Sequence, residues 1–329
     1  MPLERRLASS GDQLREELKH CEETPPFLIN DLLVKDATFM LTGHGQGGKS
    51  SLTLCAAAAM TAGLPVWGQF ACVRPMKVYW VCGERTAREP KIRLRKMTGK
   101  IPFNVDNLWI SDSFASTIDL TKTEQAEEMA RTIQRDCPTP DLLVLDPLYS
   151  LVAGGLSEDR VASAVCRSFT ALKIMLNCSL WVTHHNVKNR LTDKGEETNL
   201  KNPIYGSVHL YNHVEAQYTV ERDGKSESML KLQKDSHTLL LSKIPLKFDF
   251  ETYTAEMIGD DLPLRVREKA LIYLRQKQES GDSFSFDEIH GATGVSRSEF
   301  FRLNGTPPLF GKIINLSVDG YRACYMVKK

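Results

Sequence analysis

Neither sign of charge predominates in this chain: 42 Lys or Arg stand against 41 Asp or Glu, a formal net charge of +1 over 329 residues. That balance argues against a protein that coats nucleic acid through bulk charge, and leaves only a local basic surface open. The eight cysteines include no C-x-x-C pair and no metal-ligand spacing. They read as reduced structural thiols rather than a disulfide framework. No apolar run approaches the ~18 residues of a membrane span, and no opening segment has the charged-then-apolar pattern of a signal. Internal repeats and low-complexity tracts are missing as well. These absences lead to the expectation of a soluble cytoplasmic protein with no membrane partner. The remaining composition, 42% hydrophobic and 25% charged, is that of an ordinary globular chain long enough for two or three domains.

Three regions separate by pattern. Residues 1–27 are charged and end in "EETPPF"; "DQLREELKH" reads as one exposed helix stopped by proline, either a solvated tail or an arm for a neighbouring subunit. From 28 to 257, apolar runs ("ATFMLT", "KVYWVCG", "NLWISD", "DLLVLD", "CSLWVTHH") alternate with helical stretches ("SLTLCAAAAMTAG", "EQAEEMARTIQRD", "RVASAVCRSFTALKIML"). Nearly all-apolar strands between helices predict a mainly parallel α/β sheet covered on both faces. "EAQYTVER", "SMLKLQK" and "PLKFDF" read as further strands extending one edge. After "IGDDLP", residues 264–329 predict three helices and then two strands joined at Asp319-Gly320.

The chemistry concentrates first at "GHGQGGKSS". Gly43, His44, Gly45, Gln46, Gly47, Gly48, Lys49 and Ser50 fit G-x-x-x-x-G-K-[ST], with Ser51 following. Glycines let successive backbone N–H groups turn in around a phosphate that side chains would exclude. Lys49 is placed to reach the β- and γ-phosphates, the Ser50 hydroxyl to ligate Mg²⁺, and the following helix to point its positive end at the same anion. An apolar strand before the loop and an alanine-rich helix after it supply the expected context for an ATP and Mg²⁺ site.

Two acids stand at strand tips, where ligands of open α/β sheets bind. Asp146 closes "DLLVLD" and is the candidate metal-organising carboxylate; Glu84 follows "VYWVCG" and is the candidate base for the attacking water. Either acid alone reads equally well as a solvated carboxylate; beside a phosphate loop they read as a set. "LWVTHHN" ends a further strand with His184 and His185. A third metal ligand at convincing spacing is missing, so a polar sensor near the γ-phosphate is the better reading for at least one of them.

In this order, residues 26 to about 250 resemble the RecA-like P-loop ATPases, and specifically the RepA-type hexameric helicase branch related to DnaB, KaiC and the RadA-type repair ATPases. The likeness rests on the loop region, "VYWVCGERTAREPKIRLRKM", "LLVLDPLYSLVAG", "LWVTHHNVK" and "YGSVHLYNHVEAQYTV". The resemblance implies Glu84 as catalytic glutamate, His185 as the sensor coupling γ-phosphate to DNA, Gly206-Ser207 as the family's Gly-Ser step, and Lys234 as a lysine reaching a neighbouring subunit's nucleotide. It also implies a homo-oligomer, hexameric by preference. One departure stands out. The family's trans-acting arginine is expected within "HLYNHVEAQYTV", which has none; Glu215 stands about where it belongs. Lys234, Arg222 or Arg190 is left to take that role, or turnover is slow.

Residues 264–329 resemble a winged helix-turn-helix domain, with Gly294 in the turn and Ser296 as N-cap of the third helix. Arg297, Ser298 and Arg302 fall on or near a recognition helix and Arg322 on the wing, so duplex DNA is the expected partner, with a protein contact as the alternative. "HHNVKNRLTDKGEETNLKNP" is a candidate single-strand loop or a plain surface loop. The leading expectation is an ATP-hydrolysing DNA motor, a replicative helicase of a plasmid, phage or other mobile element. Its competitor is an ATP-dependent DNA-binding switch, a replication regulator, loader or repair ATPase without processive unwinding.

Overall fold

The computed structural model describes residues 10–19, 26–83, 86–112, 114, 117–185, 208–224, 226–236 and 240–258, and, further on, 273–274, 277, 282–293, 300, 313–318 and 322–327. The chain divides into two compact units, one holding Met1–Leu239 with Ile244–Ile258, the other Leu240–Lys243 with Gly259–Lys329.

The first unit is built on a nine-stranded sheet. Its strands are β3 (Thr38–Gly43), β4 (Val78–Cys82), β5 (Leu108–Ser111), β6 (Leu142–Asp146), β7 (Ser179–His185), β8 (Ala216–Asp223), β9 (Glu227–Asp235), β10 (Lys243–Asp249) and β11 (Thr254–Met257), in the order β11-β10-β9-β8-β3-β7-β6-β4-β5. A small antiparallel pair, β1 (Phe27–Ile29) and β2 (Leu33–Val34), precedes them. From β8 across to β5 every pairing is parallel, while β8–β9 and β10–β11 are antiparallel. β3, β4 and β6 are buried at every position. A strand without polar alternation must be covered on both faces.

The cover comes from α2 (Lys49–Ala62), α3 (Arg88–Met97), α4 (Thr123–Asp136) and α5 (Asp159–Leu176), with α1 (Gly11–Lys19) before them and α6 (Val208–His213) after. Alternate strand residues sort to opposite sides. Met40, Val81, Leu143, Leu145 and Val182 join the cluster that includes Met129 and Ile133 of α4 and Val165 and Phe169 of α5. Phe39 instead packs on Trp181 with ring centroids 4.3 Å apart, and Trp181 on Trp67, whose Nε1 donates to Leu52 O of α2. Cys55, Cys72, Cys82, Cys137, Cys166 and Cys178 are free thiols, all but Cys72 buried, and burial pushes Cys55 up to about 12. Among the described residues no helix is long and apolar enough to cross a membrane.

Among the described residues, the second unit holds a three-stranded sheet, β12 (Phe284–Ser285), β14 (Arg322–Val327) and β13 (Ile313–Val318), in the order β12-β14-β13, and the helix α7 (Phe286–Thr293). β13 and β14 are the antiparallel pair that the pattern predicts around Asp319-Gly320. β12 is an addition that two residues were too short to reveal. A reciprocal capping box starts α7: Glu288 N–H donates to Ser285 Oγ at 3.2 Å and Ser285 N–H to Glu288 Oε2 at 2.6 Å. Leu274, Phe284, Ile289 and Phe300 are buried, with Phe284 edge-on to Phe300.

Candidate functional site

The C-terminal ends of β3, β4, β6 and β7 lie side by side, because the strands are parallel and in register: Gly43 pairs with His185, and Cys82 with Asp146. Their tips therefore open on one cavity of about 320 Å³, lined by Gln46–Ser51, Asp146, Thr183 and His185 and, from elsewhere, Trp80, Pro90, Arg93, Phe250 and Tyr253.

The loop leaves β3 where only glycine fits. A Cβ on Gly43 would stand 2.9 Å from the Val220 carbonyl oxygen of β8. At the far end Gly48 adopts φ 85° and caps α2 without any side-chain hydrogen bond, which leaves the first-turn N–H groups to an anion. Lys49 is buried, and its Nζ donates to the carbonyls of Gly43 (3.0 Å) and His44 (2.8 Å), inside the curve of the loop. Nζ also lies 3.5 Å from His185 Nδ1. His184, one residue earlier, is fully buried on the other side of β7.

Ser50 Oγ donates to Asp146 Oδ1 at 2.9 Å, and Thr183 Oγ1 donates to the same oxygen. Burial raises the Asp146 carboxyl above its ordinary value, opposed by those two hydrogen bonds and by the charges of Arg93 and Lys49. A buried carboxylate beside a hydroxyl favours a cation. Among the described residues no three His, Cys, Asp or Glu converge to hold a metal by themselves. Ser50 and Asp146 thus fit Mg²⁺, which keeps several waters and takes one or two carboxylates plus phosphate oxygens.

The other end of the cavity is an aromatic and cationic slot. The Arg93 guanidinium lies 5.5 Å from the centroid of the Tyr253 ring, and Lys96 Nζ 5.1 Å from the same ring. Arg93 also donates to Ser51 Oγ (3.2 Å) and to Glu89 Oε1 (3.1 Å). Phe250 sits at the tip of the β10–β11 hairpin with Tyr253, and Arg222 of β8 stacks on it at 4.8 Å. Planar groups of this kind suit a planar heterocycle.

A phosphate loop, a buried acid at a strand tip and a slot for a base match what a family comparison finds: the model of the AAA domain covers residues 4–190, more than half of the chain. The chain belongs to the AAA domain family. It is a P-loop ATPase with a RecA-like fold, and such a domain takes a nucleotide and usually Mg²⁺. Among solved structures, a DnaB-like replicative helicase described with its primase interactions superposes with a TM-score of 0.53 at 12% identity, over 76% of this chain and 68% of that one. A KaiC-like protein of Pyrococcus horikoshii gives 0.44 at 14% identity, over 72% and 96%, and the RadB recombinase 0.46 at 12%, over 68% and 92%. No curated protein matches the chain significantly.

For this AAA domain, then, the structure brings Gln46–Ser51, Asp146 and His185 into one cavity. Glu84, Arg190, the Gly206-Ser207 step, the candidate single-strand loop, Arg297, Ser298 and Arg302 lie outside the described residues. Arg322 begins β14. Lys234 caps α6 within its own chain, donating to Tyr211 O (3.0 Å) and Asn212 O (2.7 Å). Glu215 accepts from Thr38 N–H (2.6 Å) and from Lys173 Nζ (2.9 Å), so it holds the start of β3, the end of the sheet away from the loop. Sequence reasoning missed Thr183, Arg93, Phe250 and Tyr253. A Glu89–Arg93 pair at i,i+4 in a basic helix was the only signal for Arg93. Nothing local marked the hairpin tip.

Proposed function

We propose that this AAA-domain chain is an ATP-hydrolysing DNA motor, a hexameric replicative helicase of the RepA/DnaB type serving a plasmid, phage or other mobile element. The observation that carries the reading is the contact between Lys49 of the phosphate loop and His185 at the tip of β7, which links the phosphate end of the cavity to the segment that follows His185. The likeness of the fold to a DnaB-like replicative helicase supports it.

In this reading the loop amides and Lys49 hold the phosphates, and Ser50 and Asp146 hold Mg²⁺. Arg93, Tyr253 and Phe250 seat the base. Glu84 takes the proton of the attacking water, and Lys49 and His185 face the charge that develops in line with it. Mg²⁺, when bound, neutralises charge on the phosphate oxygens. A residue of a neighbouring subunit completes the site; of Lys234, Arg222 and Arg190, the first two are engaged within their own chain. The C-terminal unit, as a winged helix, contacts duplex DNA through Arg297, Ser298, Arg302 and Arg322.

The second reading, an ATP-dependent DNA-binding switch, is favoured by one observation: where a trans-acting arginine is expected, Glu215 is bonded within its own chain. Hydrolysis measured with and without single-stranded DNA, beside unwinding of a forked duplex, separates the two. Stimulation with unwinding supports the motor. Tight duplex binding with slow, unstimulated hydrolysis overturns it in favour of the switch.

A further inference from the structure

The helix α3 has two faces with different chemistry. Its inner face is occupied: Pro90, Leu94 and Met97 are buried, and Glu89, Pro90 and Arg93 line the nucleotide cavity. Its outer face presents Arg88, Lys91, Ile92 and Arg95, all exposed, with the exposed Lys96 at the edge, its Nζ over the Tyr253 ring. At 100° per residue these five positions form one continuous stripe along the helix. The ten residues of α3 carry five Lys or Arg and one Glu, net +4, in a chain whose total is +1. Glu89, the single acid, is turned inward and paired with Arg93. Among the described residues Arg88, Lys91, Arg95 and Lys96 have no ion-pair partner.

Beside the stripe a shallow concavity of about 490 Å³ is bounded by Arg88, Lys91, Ile92, Arg95, Ile110 and Asp112. Asp112 is the one carboxylate there, and it accepts from the Ala87 N–H at the start of α3. So much unpaired positive charge calls for an anion. The form of the patch narrows the choice. Protein interfaces have an apolar centre from which Lys is depleted. Here the row is cationic from end to end, with one exposed aliphatic side chain, Ile92 (43%), inside it. From Arg88 to Arg95 it runs about 10 Å at 1.5 Å per residue. Arg88, Lys91 and Arg95, spread along that length on long side chains, can each neutralise one backbone phosphate of a single strand.

We propose that the outer face of α3 is a track for the sugar–phosphate backbone of single-stranded nucleic acid. The inference rests on the nucleic-acid part of the function proposed above and adds a location that the reading did not contain. One rigid helix then touches the nucleotide through Arg93 and the strand through Arg88, Lys91 and Arg95. A shift of α3 on nucleotide binding is transmitted to the strand without any intervening loop.

The test is equilibrium binding of full-length protein to labelled oligo-dT by fluorescence anisotropy, at a series of salt concentrations between about 50 and 200 mM. The variant Arg88→Ala/Lys91→Ala/Arg95→Ala is expected to lose at least tenfold in affinity at low salt. The slope of log K against log salt should fall by about 2, from roughly 0.7 for each of three phosphates. Nucleotide binding and DNA-free hydrolysis stay as in the parent, because Arg93 and Glu89 are retained. The single variant Arg95→Glu, at an exposed position, should move affinity the same way should the triple variant misfold. If the parent binds oligo-dT and both variants bind it with unchanged affinity and slope, the track is refuted and the motor reading survives. If the parent binds no single strand, the motor reading falls with it. If a polyglutamate peptide displaces the oligonucleotide as well as unlabelled oligo-dT does, the face is an acidic-protein site and the proposal is overturned.

Discussion

Lys49 Nζ stands 3.5 Å from His185 Nδ1, with its other hydrogens directed at the carbonyls of Gly43 and His44. An ammonium group only donates, so a hydrogen bond between the two uses the Nδ1 lone pair. Tyr149, itself 39% exposed, lies with its ring 5.0 Å from the His185 ring and backs it. The histidine is thereby held between the phosphate loop and the segment after Asp146. Two substitutions read the pair. Lys49→Ala removes the buried cation from the loop and should abolish nucleotide binding in a fluorescent-nucleotide titration. His185→Ala should keep binding within a few-fold and lower turnover by about 10²-fold or more, the usual scale for losing one oriented donor near developing charge. Equal loss of binding in both variants would place His185 in ground-state binding instead.

Glu84→Gln separates binding from chemistry. The amide keeps the shape of the side chain and loses its basicity, so nucleotide affinity should persist while hydrolysis falls by about 10²- to 10⁴-fold. Steady-state phosphate release beside a nucleotide titration measures both. Normal turnover would remove Glu84 from the role of base.

Asp146 predicts a conflict between stability and function. Its carboxyl is raised by burial in the folded chain, so folding binds a proton more readily than the unfolded chain does. Stability therefore falls, and a penalty accrues, as pH rises from the ordinary carboxylate value through the raised one. Asp146→Asn removes that penalty and keeps an oxygen to accept from Ser50 and Thr183. The nucleotide-free variant should melt about 2 °C or more higher at neutral pH, with the gain fading towards pH 4. The same variant should lose Mg²⁺-dependent hydrolysis. A melting temperature below that of the parent at neutral pH would contradict the assignment.

Arg222 is expected to act within its own chain. Its stack on Phe250 fastens a hairpin tip that lines the nucleotide cavity, and an exposed cation–π contact contributes about 0.5–1 kcal/mol. Arg222→Ala should raise KM for ATP about two- to fivefold with kcat nearly unchanged. A trans-acting finger predicts the opposite pattern, a loss of about 10³-fold in kcat.

Glu215 is a structural acid. Removing it leaves the buried Thr38 N–H without its acceptor and Lys173 with only the Asp36 carbonyl. Glu215→Ala should destabilise the domain by about 1–2 kcal/mol, mostly through the unsatisfied amide, seen as a lower denaturant midpoint. An unchanged midpoint would show that water replaces the carboxylate freely.

What could be read from the chain, and what could not, divides along physical lines. The apolar runs ending at Gly43, Cys82, Asp146 and His185 declare parallel strands, because only strands covered on both faces omit polar alternation. The phosphate loop is equally legible, since its glycines and Lys49 lie within eight consecutive residues and act through local backbone geometry. Asp146 and His185 follow from being the last residues of such strands. Arg93, Thr183, Phe250 and Tyr253 were invisible because each reaches the site across the sheet or from a hairpin about 200 residues away in sequence. Glu215 reads in sequence as an arginine missing from a motif; in space it is bonded to Thr38 and Lys173. The sequence by itself thus determined the sheet, the loop that grips phosphate and the tips that face it, all matters of local pattern and period. Only the tertiary structure decided which side chains line the cavity beside the phosphate loop, where Lys234 and Glu215 spend their hydrogen bonds, and that α3 turns one face to that cavity and a row of cations to solvent. Those depend on contacts between segments distant along the chain, which no local pattern encodes.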